Sequence, residues 1–274
     1  MSQAAILAGD YMAPKYKHRS PSIVSMGLEG RWPWELSAHY SLLPLLRRLP
    51  KGDGHPVIVF PGFLASPAST VQMRRLLKKL NYDVRDWGLG RNLRFNEDVE
   101  EKMIKMVLRV AVQTDQKVSL VGWSLGGVYA REIARAIPEH VRNVISLGSP
   151  ITGSRHAALA RPVFEMLNGS PKPETEARMA SMHVPPPVPC TAIYSKTDGI
   201  VHWHGALQDE TEMSENIRVP ASHVGMGSNP LVMYLLADRL AQAEGDWKPF
   251  EVSGLRKFAF KKPGKFNRDL GEFY

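Results

Sequence analysis

The pentapeptide Gly122-Trp123-Ser124-Leu125-Gly126 carries the most specific chemistry in this sequence. It follows the strand-like run Lys117–Val121 and opens the helical stretch 125–137, which Pro138 ends. A serine on so tight a strand-to-helix turn must take strained backbone angles, and these project its hydroxyl. Glycine two residues to either side leaves room where side chains would collide. The helix behind it turns free N–H groups and its positive dipole end toward the same point. A serine hydroxyl is a weak nucleophile near neutral pH. It needs a general base, normally histidine, which a carboxylate orients. On a strand–turn–helix scaffold these follow in the order Ser, Asp or Glu, His. The sequence supplies Asp198 in Ser195-Lys196-Thr197-Asp198-Gly199 and His223 in Ala221-Ser222-His223-Val224-Gly225. The predicted chemistry is attack of Ser124 on a carbonyl carbon. The resulting oxyanion needs two backbone donors. One is the N–H of Leu125. The other comes from the loop after Val57-Ile58-Val59-Phe60, where Phe63 is the expected donor and Leu64 the alternative.

Competing residues are less well placed. His202 and His204 follow Asp198 closely and could line the site, but a metal would need a third ligand that the sequence does not assign. Asp209 and Glu210 come too late after the preceding strand for the acid role. His183 lies in a proline-rich stretch and reads as a lid or surface residue. Arg91 and Asn92, in Gly88-Leu89-Gly90-Arg91-Asn92, sit in a loop at a strand end and face the site or serve structure.

These residues need a frame that brings strand ends together. Residues 56–60 read as a short strand buried on both faces, 66–80 as a helix with Ser66 as N-cap, and 82–87 as a strand. A helix capped by Asn96 runs to about 113. Strands follow at 117–121 and 141–147, a helical stretch near 157–168, strands at 189–195 and 216–219, and a helix at 228–243. Residues 33–49 carry Leu36, Tyr40, Leu43, Leu46 and Leu49 at helical spacing, with Pro44 as an interruption. This helix packs on the core or faces a membrane or substrate entrance. Residues 1–27 show no period and read as an irregular arm. The alternation implies an α/β fold, a doubly wound and mostly parallel sheet with helices on both faces. The expected organisation is an arm and helix over 1–55, a main domain over 56–246 and a tail over 247–274.

Over roughly residues 55–245 the sequence resembles the α/β-hydrolase superfamily, in its serine esterase and lipase branch. The resemblance rests on Pro61-Gly62-Phe63, Gly122–Gly127, Gly148-Ser149-Pro150-Ile151-Thr152-Gly153 and the loops of Asp198 and His223. It implies hydrolysis of a carboxylic ester through an acyl-enzyme, with no metal and no organic cofactor. Acyl transfer and thioester cleavage would use the same three residues, and a hydrolase-fold binding protein without turnover is the alternative of another class. The sequence departs from the branch in two places: Pro61-Gly62 stands where many lipases carry His-Gly, and Trp123 stands where histidine is commonest. Residues 151–187 occupy the usual position of a cap. With Leu159, Val163, Phe164, Met166, Leu167, Met179 and Met182 they predict a small apolar lid over an acyl pocket, hence a hydrophobic ester or lipid as substrate.

The net charge of +8 could suggest a nucleic-acid partner. Its distribution argues otherwise. Residues 57–246 hold 21 basic and 20 acidic residues, whereas 247–274 hold seven and three. In that tail the basic residues alternate with Phe250, Phe258, Phe260, Phe266 and Phe273, a mix that would rest on an anionic membrane surface or pack back on the domain or on a second subunit. A single cysteine, Cys190, excludes an intramolecular disulfide framework. The first residues lack the pattern of a secretory signal, and a cytoplasmic enzyme is the expectation.

Overall fold

The computed structural model describes residues 20–94, 96–152, 159, 161–168, 178, 181–263, 266–267 and 272–273. Six strands, β1 (Pro56–Phe60), β2 (Asp83–Asp86), β3 (Val118–Trp123), β4 (Val141–Leu147), β5 (Cys190–Tyr194) and β6 (Ser214–Arg218), form one sheet in the order β2-β1-β3-β4-β5-β6. Every pairing in it is parallel. The chain leaves β1 to one side to make β2, then crosses back to place β3 on the other side. Loops from β1 and β3 therefore diverge at their carboxyl ends and leave a crevice between them, where ligands bind in open parallel sheets.

The strands are buried on both faces because their side chains alternate between two cores. From β1, Val57 and Val59 enter one core and Ile58 and Phe60 the other. The first core is closed by α4 (Val71–Lys79) and α8 (Pro230–Leu240), the second by α5 (Glu97–Thr114) and α6 (Leu125–Ala136). Asn96 caps α5 as its spacing predicts, accepting from Val99 N at 2.9 Å. Ser66 does not act as the expected side-chain cap. A 3₁₀ turn, Pro67–Thr70, precedes α4 instead.

The N-terminal segment differs from the expected irregular arm. Residues Ile23–Leu28 form a short helix, α1, capped by Ser22, whose Oγ accepts from Ser25 N at 3.1 Å. A 3₁₀ turn, Glu29–Arg31, leads into α2 (Trp32–Ser41). The helix then breaks at Leu42 before α3 (Leu43–Leu46), because Pro44 has no N–H to give the carbonyl four residues back and its ring crowds that turn. Leu46 is buried and Leu43 and Leu49 pack against the first core, whereas Tyr40 and Leu45 face solvent. No strand precedes β1 among the described residues.

The described part of the tail packs back on the domain. Phe250 and Phe260 are buried against Tyr234 of α8. Lys261 pairs with Arg218 and so covers the edge strand β6. Phe258 is 84% exposed. The side chains of Phe266 and Phe273 lie outside the described residues, as do those of Val163, Phe164 and Met179 in the expected cap. Of that cap, α7 (Arg161–Asn168) is present with Met166 and Leu167 exposed, while Met182 is buried with Val128, Ile151 and Ala192. No helix among the described residues is long and apolar enough to cross a membrane.

Candidate active site

Strand register brings the predicted residues to one edge of the sheet. Phe60 pairs with Gly122, Trp123 with Leu147, Leu147 with Ile193 and Ile193 with Ile217, so β1, β3, β4, β5 and β6 end nearly level. Ser124, Gly148, Asp198 and His223 follow those ends. Ser124 has φ 55° and ψ −122°, a left-handed conformation that an L-residue adopts only under constraint. The constraint is visible. Its N–H donates to Leu147 O at 2.8 Å, and α6 starts at the next residue. A Cβ on Gly122 would fall under 3.0 Å from the backbone of Gly126 and Gly127, and one on Gly126 equally close to the backbone of Phe60 and Pro61. The turn closes only with glycine at both positions.

Asp198 is buried, and both its oxygens are used. Oδ1 accepts from Ile200 N at 2.9 Å and Val201 N at 2.7 Å, while Oδ2 lies 2.7 Å from His223 Nδ1. Burial alone would favour the neutral imidazole. The Asp198 charge and hydrogen bond, with Glu29 adding to them, outweigh it and hold the His223 pKa above the ordinary histidine value. Gly148, at φ +54°, lies beneath this pair: a Cβ there would come within 2.9 Å of Asp198 Oδ2 and 3.1 Å of His223 Nδ1. Trp123 has a role here. Its indole N–H donates to the His223 carbonyl at 3.1 Å, so the residue that replaces the commoner histidine anchors the histidine loop.

The loop after β1 runs beside Ser124, since a Cβ on Gly62 would stand 3.3 Å from Ser124 Cβ. Leu64, the alternative oxyanion donor, spends its N–H on Asn92 O at 2.7 Å. Asn92 also donates from its side chain to Pro61 O at 2.9 Å and from its N–H to Ala65 O at 2.8 Å. Asn92 is thus a fully buried brace for this loop, and Arg91 is exposed. Leu125 is the first residue of α6, a position whose N–H has no intrahelical acceptor.

The competing residues lie in other settings. His183 is buried rather than superficial and stands 3.6 Å from Asp209. Glu210 accepts from Asn216 N at 3.1 Å. The rings of His202 and His204 are 5.1 Å apart, and burial pushes the His204 pKa down to about 4. Among the described residues no three His, Cys, Asp or Glu side chains group together as a metal site. A second Asp-His-Ser set, not anticipated from the sequence, occurs at the opposite edge of the sheet. His55 contacts Asp53 Oδ1 at 2.5 Å and Ser119 Oγ at 2.8 Å, but Ser119 and His55 are fully buried. Only the Ser124 set combines a partly exposed serine with a strained turn.

Comparison with known proteins agrees with this architecture. A family model described as palmitoyl protein thioesterase matches residues 56–195, just over half of the chain. Among solved structures, Aspergillus fumigatus lipase B aligns at 20% identity and a TM-score of 0.56, over 70% of this chain and 53% of the lipase. The mature form of Bacillus licheniformis lipase BlEst2 aligns at 15% identity and 0.52, over 71% and 95%. An alpha/beta superfamily hydrolase from Oenococcus oeni PSU-1 aligns at 14% and 0.50, over 70% and 94%. This chain therefore spans about half the length of the Aspergillus lipase, and at these identities the likeness is one of fold. A search of curated proteins finds no match. The β1–β5 frame, the glycine-lined turn at Ser124 and the family match over that same span lead to one assignment: the chain belongs to the palmitoyl protein thioesterase family of the α/β-hydrolase superfamily.

Proposed function

We propose that this chain is a serine hydrolase that cleaves a carboxylic ester of an apolar acyl group through an acyl-enzyme on Ser124. The observation that carries the reading is the strained Ser124 at the end of β3 with the buried Asp198–His223 pair at the same sheet edge. His223 Nε2 takes the Ser124 proton as Oγ bonds to the carbonyl carbon. The oxyanion rests on the N–H groups of Leu125 and Phe63. Collapse breaks the bond to the leaving oxygen, which takes the proton from His223. Water, deprotonated by His223, then releases the acid and restores Ser124. Asp198 holds the His223 tautomer and stabilises the imidazolium.

The family match favours a second reading, an acyl thioester as substrate. A thiol has a pKa near 8.5, far below that of an alcohol, so a thiolate leaves with less help from His223. Both readings are tested by one panel: p-nitrophenyl esters and the matching acyl thioesters with chains of increasing length. Turnover of both, with a rate that rises with chain length, is the expected result. A folded protein that turns over none of them and takes no label from a fluorophosphonate would overturn the proposal.

Two further outcomes follow. Because His223 must be neutral to act and its pKa is raised, the acid limb of kcat/KM should lie above the ordinary histidine value of about 6.5, with activity gained as pH rises through it. A limb below pH 6 would contradict the site electrostatics. Replacing Asn92 by Ala leaves Pro61 O without its buried donor. It should cost about 1–3 kcal/mol in a denaturant melt and lower kcat more than it changes KM, because the loop it braces carries a transition-state donor.

A further inference from the structure

Asp198 and His223 stand on separate loops, and a side chain far away in sequence joins the two backbones. Glu29 Oε1 accepts from Gly199 N at 2.7 Å and from His223 N at 2.8 Å, and Oε2 accepts from Val224 N at 2.9 Å. One carboxylate thus holds the residue after Asp198, the N–H of His223 itself and the residue after it. Neighbouring contacts fix the segment that carries it. Arg31 Nη2 donates to Thr197 Oγ1 at 2.7 Å. Glu35 accepts from Ser222 N at 2.8 Å and also takes the Ser222 hydroxyl. A Cβ on Gly199 would fall under 3.0 Å from the backbone of Ser25 and Met26, so α1 seats directly on the acid loop.

We infer that Glu29 is a positioning residue for the active site, a carboxylate clamp that sets the acid loop against the base loop and places a second negative charge beside His223. The inference rests on the reading of Ser124, Asp198 and His223 as the catalytic set. A carboxylate that accepts three backbone N–H bonds leaves little freedom to the groups it joins. The hydrogen bond between Asp198 and His223 depends on loop placement, and a misplacement of about 1 Å can cost on the order of a hundredfold in rate. The charged groups around His223 are Asp198 on the acid loop and Glu29 on the N-terminal segment, with Arg31 and Glu35 beyond them on that segment. The Glu29 charge favours the imidazolium. Removing it therefore favours the neutral base at lower pH.

The test compares wild type, Glu29→Gln, Glu29→Ala and Ser124→Ala as full-length proteins. Rates on a p-nitrophenyl ester are normalised to sites titrated with a fluorophosphonate. Glu29→Ala should lower kcat per titrated site about tenfold, with KM changed far less. Glu29→Gln keeps the size of the side chain and loses the charge. It should move the acid limb of kcat/KM down by about half a pH unit. A role confined to stability would lower the melting temperature and leave both readouts at wild-type values, and that result overturns the inference. If Glu29→Ala does not fold, the pH limb of Glu29→Gln decides alone. The two readings fail differently: turnover retained by Ser124→Ala sinks the catalytic set and the clamp with it, whereas a silent Ser124→Ala beside Glu29 variants that keep the wild-type kcat and pH limb sinks only the clamp.

Discussion

Ser124→Ala should abolish turnover in a protein that stays folded. The expected loss is at least about 10⁴-fold, and up to about 10⁶-fold if the three residues act as a unit, because removing the nucleophile then costs nearly as much as removing the whole set. Stability should hardly change. The left-handed backbone at residue 124 is imposed by the neighbouring glycines and by the bond to Leu147 O, and alanine occupies it no less well than serine. Residual activity from the second Asp-His-Ser set is not expected, because Ser119 and His55 are fully buried and no substrate carbonyl reaches them. Initial rates and fluorophosphonate labelling check the prediction together. A label that persists in Ser124→Ala would place the nucleophile elsewhere and sink the assignment.

Gly122→Ala should be strongly damaging for so small a substitution. Its new methyl group meets the carbonyl of Gly126 and the N and Cα of Gly127 at under 3.0 Å, all of it backbone that cannot rotate away. The turn must open, and the loss expected is about 3 kcal/mol or more. For a domain of this size that lowers the melting temperature by about 10 °C. Activity should fall by more than the folded fraction does, since opening the turn moves Ser124 away from the Asp198–His223 pair. Gly27→Ala is the control. Nothing lies within 4 Å of a Cβ at Gly27, which sits in α1 with no positive φ, so alanine there should leave stability unchanged or slightly raised. A Gly122→Ala protein that melts with wild type would mean that the turn is not closed as described.

Local rules made the frame of this protein legible. A five-residue apolar run, such as β1, can be buried on both faces only in a covered sheet, so alternating runs and helices announce a parallel α/β architecture. Gly122, Ser124 and Gly126 were readable for a similar reason: a strand-to-helix turn that exposes a hydroxyl tolerates few residue types, and those types are adjacent in the chain. Asp198 and His223 could be named because they follow strands. That placement identifies a sheet edge but measures no distance. The 2.7 Å contact between them required the register of β4, β5 and β6.

Other features had no local signature. Residues 1–27 show no period in the sequence, and just beyond them Glu29 reaches three backbone donors 170 to 195 residues further along the chain. Every residue except proline has a backbone N–H, so nothing in the sequence marks the ones that a carboxylate will find. The charge pattern of the tail was consistent with a membrane surface or with packing. It is the aromatic contacts of Phe250 and Phe260 with Tyr234 that bury part of it on the first core. Phe63 is the donor expected from the sequence and Leu64 the alternative, and it takes the fold to show that Leu64 N donates to Asn92 O. The sequence by itself determined which chemical groups are present and which strand ends present them, because turns and strands are set by neighbouring residues. The tertiary structure alone decided which backbone donors are occupied and what holds the acid and base loops together, because those contacts depend on segments brought near only by the closed fold.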